Sequence, residues 1–280
     1  MGAMDSLLTP DQIAAYRDTG YAVARGVVSP AELAELRAAA DQIVAMAKDF
    51  ADDTFVGVTF FNIFRKADPF AKNIAEAERV PGLIRRVTYP YAVSETLNRY
   101  RAHPRLLGVV ASLLGPDVKQ IVNQLNFNPP HAGTGWGWHQ DYRFRKAGIG
   151  DLVQDFVQTI LAIDLCSTVT GGIRLIPRSH LLGDLKLDVD NENAESYFDA
   201  KLAVTPELAP GDVVLFNSHV IHGSTPNKSP HQRRVYINGY ARGTSKIGMP
   251  VLTGGVPTSR VVGKMEYEGD VETLPKASKY

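Results

Sequence analysis

Gly135-Trp136-Gly137-Trp138-His139-Gln140-Asp141 is the stretch from which the rest of the chain can be read. Aromatic and small residues around a His-x-Asp pair suit an extended strand, where residues two apart point to the same side. His139 and Asp141 can then aim an imidazole nitrogen and a carboxylate oxygen at one point, which is metal-ligand geometry. Around this stretch, from about residue 117 onward, short β-branched and aromatic runs are broken by Pro, Gly and Asn. Strands are expected at 119–127, 158–164, 172–176, 212–216 and 233–240. Upstream the texture is helical. Thr9-Pro10-Asp11-Gln12 and Ser29-Pro30-Ala31-Glu32 each combine a hydroxyl N-cap, a proline at the first helical position and an amide or acid three residues on. The second opens a helix to about residue 48 with Leu33, Leu36, Ala40, Ile43 and Ala47 on one face; a third is expected over 95–114, closed by Gly115-Pro116. Helices first and strands after predict an α+β fold rather than alternating βαβ units.

Composition narrows the function classes. The 280 residues are 44% hydrophobic and 21% charged, an ordinary globular mixture that excludes disorder as the main feature. Thirty basic and thirty acidic side chains cancel, leaving no net field for a polyanion or an anionic membrane. The expected partner is a small-molecule substrate, with no nucleic acid and no membrane. The single cysteine, Cys166, excludes a disulfide framework and a cysteine-rich zinc site. No apolar run approaches the ~20 residues of a membrane span and no secretory pattern opens the chain, so the expected location is the cytoplasm.

A third metal ligand is available where the 212–216 strand runs into Asn217-Ser218-His219-Val220-Ile221-His222-Gly223-Ser224. Either His219 or His222 would complete two histidines and one carboxylate, the set used by non-haem Fe(II) oxygenases with coordination positions left open. Eleven residues beyond His222, Arg233 starts a strand whose alternation groups it with Val235, Ile237 and Gly239, while Arg234 joins Tyr236, Asn238 and Tyr240. An inward guanidinium must be paired, and its planar fork suits a carboxylate.

The chain resembles the phytanoyl-CoA dioxygenase-like branch of the Fe(II)/2-oxoglutarate-dependent oxygenases. The resemblance rests on 8–26, on His103-Pro104 to Gly115-Pro116-Asp117, and on Trp138-His139-Gln140-Asp141. It continues through Ile176-Pro177-Arg178-Ser179-His180, Pro210-Gly211-Asp212, and His222-Gly223-Ser224 with Asn227, Ser229 and Arg233. It implies a double-stranded β-helix, a jelly-roll or cupin-like barrel with N-terminal helices packed on the larger sheet. One oxygenase domain is expected over 1–280, with helical support at about 8–115, the jelly-roll core at about 118–241 and a tail at 242–280. Carried over position by position, His139, Asp141 and His222 are the implied iron ligands, and Arg233 the anchor of the distal carboxylate of 2-oxoglutarate. Gln124 and Asn126 are candidates for its chelated end. Fe(II), 2-oxoglutarate and O2 are the implied cofactor and cosubstrates, and the implied reaction oxidises an unactivated C–H bond, most often by hydroxylation, with release of succinate and CO2. Asp141 argues against halogenation, because related halogenases carry a small residue there. Two departures stand out: Asn128 where many relatives have lysine, and Arg178 in place of a frequent glycine.

Substrate contacts are expected from Phe60, Phe61, Trp138, Arg143 and Arg145, with a cover built from 53–66 and 142–155. The aromatic cluster Phe55, Phe60, Phe61 and Phe64 lacks a clean period and reads equally as core. Two rival functions are a jelly-roll metal-dependent hydrolase or isomerase and a non-catalytic binding protein with a vestigial pocket.

Overall fold

A computed structural model describes residues 8–65, 79–131, 135–142, 156–185, 194–245 and 251–253. Both capping boxes form as the sequence requires, opening α1 (Pro10–Thr19) and α2 (Pro30–Met46). The helix expected over 95–114 is two helices, α3 (Glu95–Tyr100) and α4 (Pro104–Leu114). Pro104 has no N–H to continue the first and takes the opening position of the second.

Nine strands form one antiparallel sheet. They are β1 (Tyr21–Ala24), β2 (Thr54–Val56), β3 (Thr59–Arg65), β4 (Arg79–Thr88), β5 (Asp117–Asn128), β7 (Val157–Ala162), β9 (Val213–Asn217), β11 (Arg233–Arg242) and β12 (Val251–Thr253), in the order β1-β9-β7-β11-β5-β4-β3-β2 with β12 also on β5. A smaller sheet has the order β6-β10-β8, from β6 (Trp136–His139), β10 (His222–Ser224) and β8 (Ile173–Leu175). The two sheets share no strand pairing among the described residues, so the jelly roll is a pair of sheets rather than a closed barrel.

Alternation along the large sheet builds two cores. Leu125, Phe127, Leu161, Leu215, Tyr236 and Tyr240 meet α2 and α4 through Leu33, Leu36, Ile43, Leu106 and Val110. Their neighbours Ile160, Val214, Phe216, Val235 and Ile237 face the small sheet, packing with Ile173 and Leu175. Helices on one face and a second sheet on the other cover the central strands of the large sheet, the layered solution expected for this mixture. Leu36 is fully buried beneath the helix layer. Leu36→Ala is expected to cost about 2–5 kcal/mol, read as a lower Tm by calorimetry.

The N-terminal segment is less helical than expected, since it contributes β1 to β4. β3 is buried on both faces, and a strand with two buried faces shows no alternation to read. The same strands correct the expected cover over 53–66: β2 and β3 form a hairpin at one edge of the large sheet, with Thr54 opposite Phe61 and Val56 opposite Thr59. The other half of that cover, 143–155, with Arg143 and Arg145, lies outside the described residues. Among the described residues no helix is long and apolar enough to cross a membrane.

Candidate metal centre

The small sheet brings two histidines face to face. His139 at the end of β6 pairs directly with His222 at the start of β10, and their rings lie 4.1 Å apart between centroids. Asp141 follows two residues later. Its Oδ1 is 3.6 Å from His139 Nε2 and its Oδ2 is 3.6 Å from His222 Nε2. One ligand atom from each residue lies within 4.8 Å of the others, a spacing that can hold one metal ion. His219 is not part of this group. It stacks on Tyr142, with ring centroids 4.1 Å apart.

The chain prepares both imidazoles in the same way. His139 Nδ1 lies 2.7 Å from the carbonyl oxygen of Gly137, and His222 Nδ1 lies 3.0 Å from that of Val220. A carbonyl only accepts, so Nδ1 carries the proton and Nε2 presents its lone pair toward Asp141. Burial, reinforced by His222, pushes His139 down to about 4, so it is neutral at pH 7, as a metal ligand must be. Phe216, from the core between the sheets, packs against the His222 ring at 4.7 Å. Two neutral nitrogens and one carboxylate on a preset frame fit a divalent first-row metal.

Gln140, between the ligands, is a site residue that sequence reasoning missed. Fully buried, it donates from Nε2 to the carbonyls of Gly183 and His219, each at 2.8 Å, and accepts at Oε1 from the backbone N–H of Leu185 at 2.9 Å. These bonds clamp the bend that turns Asp141 back toward the histidines. Ile221 is set in a similar way: its N–H donates to Ser179 Oγ, which donates to the carbonyl of Ile176. The Ile176 to His180 motif thus positions the residue before His222. Its departure at Arg178 sits at φ 67°, a left-handed conformation where glycine is at ease, and the Arg178 side chain ion-pairs with Asp18.

Arg233 turns inward, as alternation predicts. It is buried, its Nε and Nη2 donate to the carbonyls of Thr170 (3.4 Å) and Gly171 (2.6 Å), and no carboxylate among the described residues pairs with it. Burial lowers its pKa, the mark of a desolvated charge. Gly171 is tightly enclosed: it has φ +74°, and a Cβ there would lie 2.4 Å from the Thr225 oxygen and 2.6 Å from Asn128 Nδ2. Arg234 faces the helices instead, bonded to Asp164 (2.7 Å) and Asp41 (2.7 Å). In register, Arg233 lies opposite Asn128, Val235 opposite Asn126 and Ile237 opposite Gln124, so Gln124, Asn126 and Arg233 share the face toward the small sheet. Asn126 Oδ1 is buried with no hydrogen-bond partner among the described residues.

Two expected substrate contacts are corrected. Phe61 points to the helix side, fully buried in an edge-on contact with Phe50 at 5.3 Å, because it pairs with Val87 on the outward register of the large sheet. Trp138 is one residue from His139 and so turns to the opposite side, where it packs on Phe198 (5.2 Å), lies under Arg174 (4.5 Å) and donates from Nε1 to Glu195. Phe60 pairs with Thr88, which shares a face with Gln124, and it remains on the site side.

Residues 16–235 match the model of the family described as phytanoyl-CoA dioxygenase. The chain belongs to the phytanoyl-CoA dioxygenase family. Among curated members and relatives, it is 22% identical to an ectoine dioxygenase of Nocardia farcinica, over 80% of this chain and 74% of that protein. It is 24% identical to a methylphosphonate hydroxylase of Gimesia maris, over 82% of this chain and 80% of that protein. The crystal structure of EctD from S. alaskensis with 2-oxoglutarate and 5-hydroxyectoine superposes with a TM-score of 0.66 at 23% identity, covering 91% of this chain and 82% of that one. Like that structure, this member of the family builds its fold on a large strand-rich sheet with few helices.

Proposed function

We propose that this phytanoyl-CoA dioxygenase family member is an Fe(II)/2-oxoglutarate-dependent dioxygenase that hydroxylates an unactivated C–H bond of a small molecule, releasing succinate and CO2. His139, Asp141 and His222 hold the metal, Arg233 binds the distal carboxylate of 2-oxoglutarate, and Gln124 and Asn126 contact its chelated end. The observation that carries this reading is the combination of a His/Asp/His cluster with a buried guanidinium whose hydrogen bonds among the described residues go to backbone carbonyls. Relatives named as an ectoine dioxygenase and a methylphosphonate hydroxylase act in the same direction.

When bound, Fe(II) supplies the coupling of O2 reduction to oxidative decarboxylation of the 2-oxoacid and oxidation of substrate. The protein's part is electrostatic and steric. Asp141 supplies the single negative ligand, so two neutral imidazoles leave a residual positive charge suited to an anionic 2-oxoacid. Nδ1 of each histidine stays protonated on its carbonyl, holding the rings in place. Arg233, already desolvated, gains a charge-assisted bidentate partner when the cosubstrate arrives. Phe216, Val235 and Ile237 line the interior between the sheets with apolar surface that excludes water.

Enzyme stripped with a chelator is expected to regain 2-oxoglutarate-dependent succinate release with Fe(II) and ascorbate, and not with Zn(II). No succinate release with Fe(II) and ascorbate under O2 would overturn this reading and leave a hydrolase, for which Arg233 has nothing to hold. A screen for compounds that stimulate succinate release, with mass analysis for the gain of one oxygen atom or the loss of two hydrogens, identifies both substrate and outcome.

A further inference from the structure

Two consecutive arginines of β4, Arg85 and Arg86, lie on the same side of their strand. Regular alternation would send them to opposite faces. The pairing of β3 with β4 runs Phe61 with Val87, Asn62 with Arg86 and then Ile63 with Ile84, so Arg85 is the extra residue of a β-bulge. Arg86 also pairs with Asn126, which sets it on the site side of the large sheet. Both guanidiniums come to rest over the indole of Trp136, with Cζ 3.8 Å (Arg85) and 5.3 Å (Arg86) from the ring centroid. Trp136 opens β6, the strand that ends in His139.

Arg85 is incompletely partnered. Its Nη2 donates to the carbonyl of Gly135 at 3.2 Å, the one hydrogen bond it makes among the described residues, and its buried Nε has no acceptor. The carboxylate whose field favours its charge, Asp53, is already bonded to Arg65 (3.0 Å), Asn62 (3.2 Å) and the backbone of Ile63 (2.8 Å). Burial, with Arg86 and Arg65 adding like charge, pushes Arg85 down to about 9. A guanidinium that is desolvated and crowded by other cations is stabilised by an anion from outside, and its planar fork matches an oxyanion in bidentate contact. The indole beneath supports the guanidinium through a cation–π contact, which uses none of its N–H donors.

We propose that Arg85, with Arg86 beside it, is an oxyanion-recognition subsite, and that the substrate is an anionic small molecule whose carboxylate or phosphonate docks there while its oxidised carbon faces the metal ligands. The assignment rests on the dioxygenase reading above. Trp136 precedes His139 by three residues, and the shift in register between β6 and β10, where His222 pairs with His139 but Ser224 with Trp136, takes up the odd residue, so Trp136 turns toward Arg86 on the site side while Trp138 does not. The subsite and the metal ligands are then separated by roughly 10 Å along the strand, the length of a small amino acid or phosphonate plus its contacts.

Site-resolved modification by phenylglyoxal tests both readings separately, in enzyme loaded anaerobically with Fe(II) and with or without 2-oxoglutarate. Methylphosphonate and acetate serve as oxyanion probes, dimethyl methylphosphonate and acetamide as neutral controls, and peptide fragmentation reports each arginine. Arg85 is expected to react without probe and to react roughly tenfold more slowly with an oxyanion at ten times its Kd, while the neutral compounds leave it unchanged. Stronger protection by methylphosphonate or by acetate distinguishes a phosphonate from a carboxylate substrate. Equal rates with and without the oxyanions would overturn the subsite. So would an Arg85 that phenylglyoxal fails to reach, since a site open to a small substrate is open to a reagent of that size. Protection of Arg233 by 2-oxoglutarate is read in the same samples. Its absence would overturn the cosubstrate assignment whatever Arg85 does.

Discussion

His222→Ala and His139→Ala are each expected to give folded protein that retains no iron and releases no succinate. The two Nε2 atoms and Asp141 form a set with no spare donor: each histidine lies 3.6 Å from a different oxygen of Asp141, and no fourth His, Cys, Asp or Glu joins the group among the described residues. Loss of either imidazole leaves one nitrogen and one carboxylate, too few for the proposed metal ion to compete with chelator or buffer. The fold should survive. The apolar cores lie on the two faces of the large sheet, while the histidines sit on the short pairing of β6 with β10. Iron per chain by plasma mass spectrometry, with circular dichroism as the control for folding, checks the prediction. His219→Ala should keep its iron, because that ring stacks on Tyr142 away from the set. Stoichiometric iron in either ligand variant would place the centre elsewhere.

Arg233→Leu is expected to raise the KM for 2-oxoglutarate far more than it lowers the kcat reached at saturating cosubstrate. Removing one partner of a buried charge-assisted pair costs about 2–5 kcal/mol, which is roughly 30-fold to several thousand-fold in affinity. The neighbouring Arg234→Leu provides the contrast. Its guanidinium is committed to Asp164 and Asp41 on the helix side of the sheet, so its loss should lower Tm and leave the KM in place. Initial rates of succinate release against 2-oxoglutarate concentration, run on both variants, separate the two. Equal effects on KM would mean that neither guanidinium is specific to the cosubstrate.

The His139/Asp141 pair of the candidate metal set was legible because its signal is local. His139 and Asp141 are two apart on one strand, and a period of two is a covalent property of extended backbone that holds before any tertiary contact forms. The same rule separated Arg233 from Arg234 correctly. Capping boxes at Thr9 and Ser29 were equally readable, since cap and partner are three residues apart. Helical texture followed by a strand-rich half also gave the α+β class, and the resemblance implied the packing of the helices on the larger sheet.

What remained hidden depended on contacts between residues distant in the chain. β3 is buried on both faces by partners the sequence does not reveal, so its phenylalanines looked like a loose aromatic cluster instead of a strand, and Phe61 was assigned to substrate when it belongs to the helix-side core. Trp138 was misread for a related reason: its packing partner Phe198 lies sixty residues away. The choice between His219 and His222 rested on resemblance in the sequence, and in the fold on the pairing of β10 with β6. Arg85 and Arg86 show the limit most clearly. By alternation they should part; one extra residue in β4 opposite β3 turns both toward Trp136. Composition and periodicity therefore determined the helical and strand-rich halves, the His139/Asp141 pair and the inward arginine, all properties of neighbours along the chain. Strand register, which depends on the partner strand and shifts with a single inserted residue, decided which side chains share a face with them.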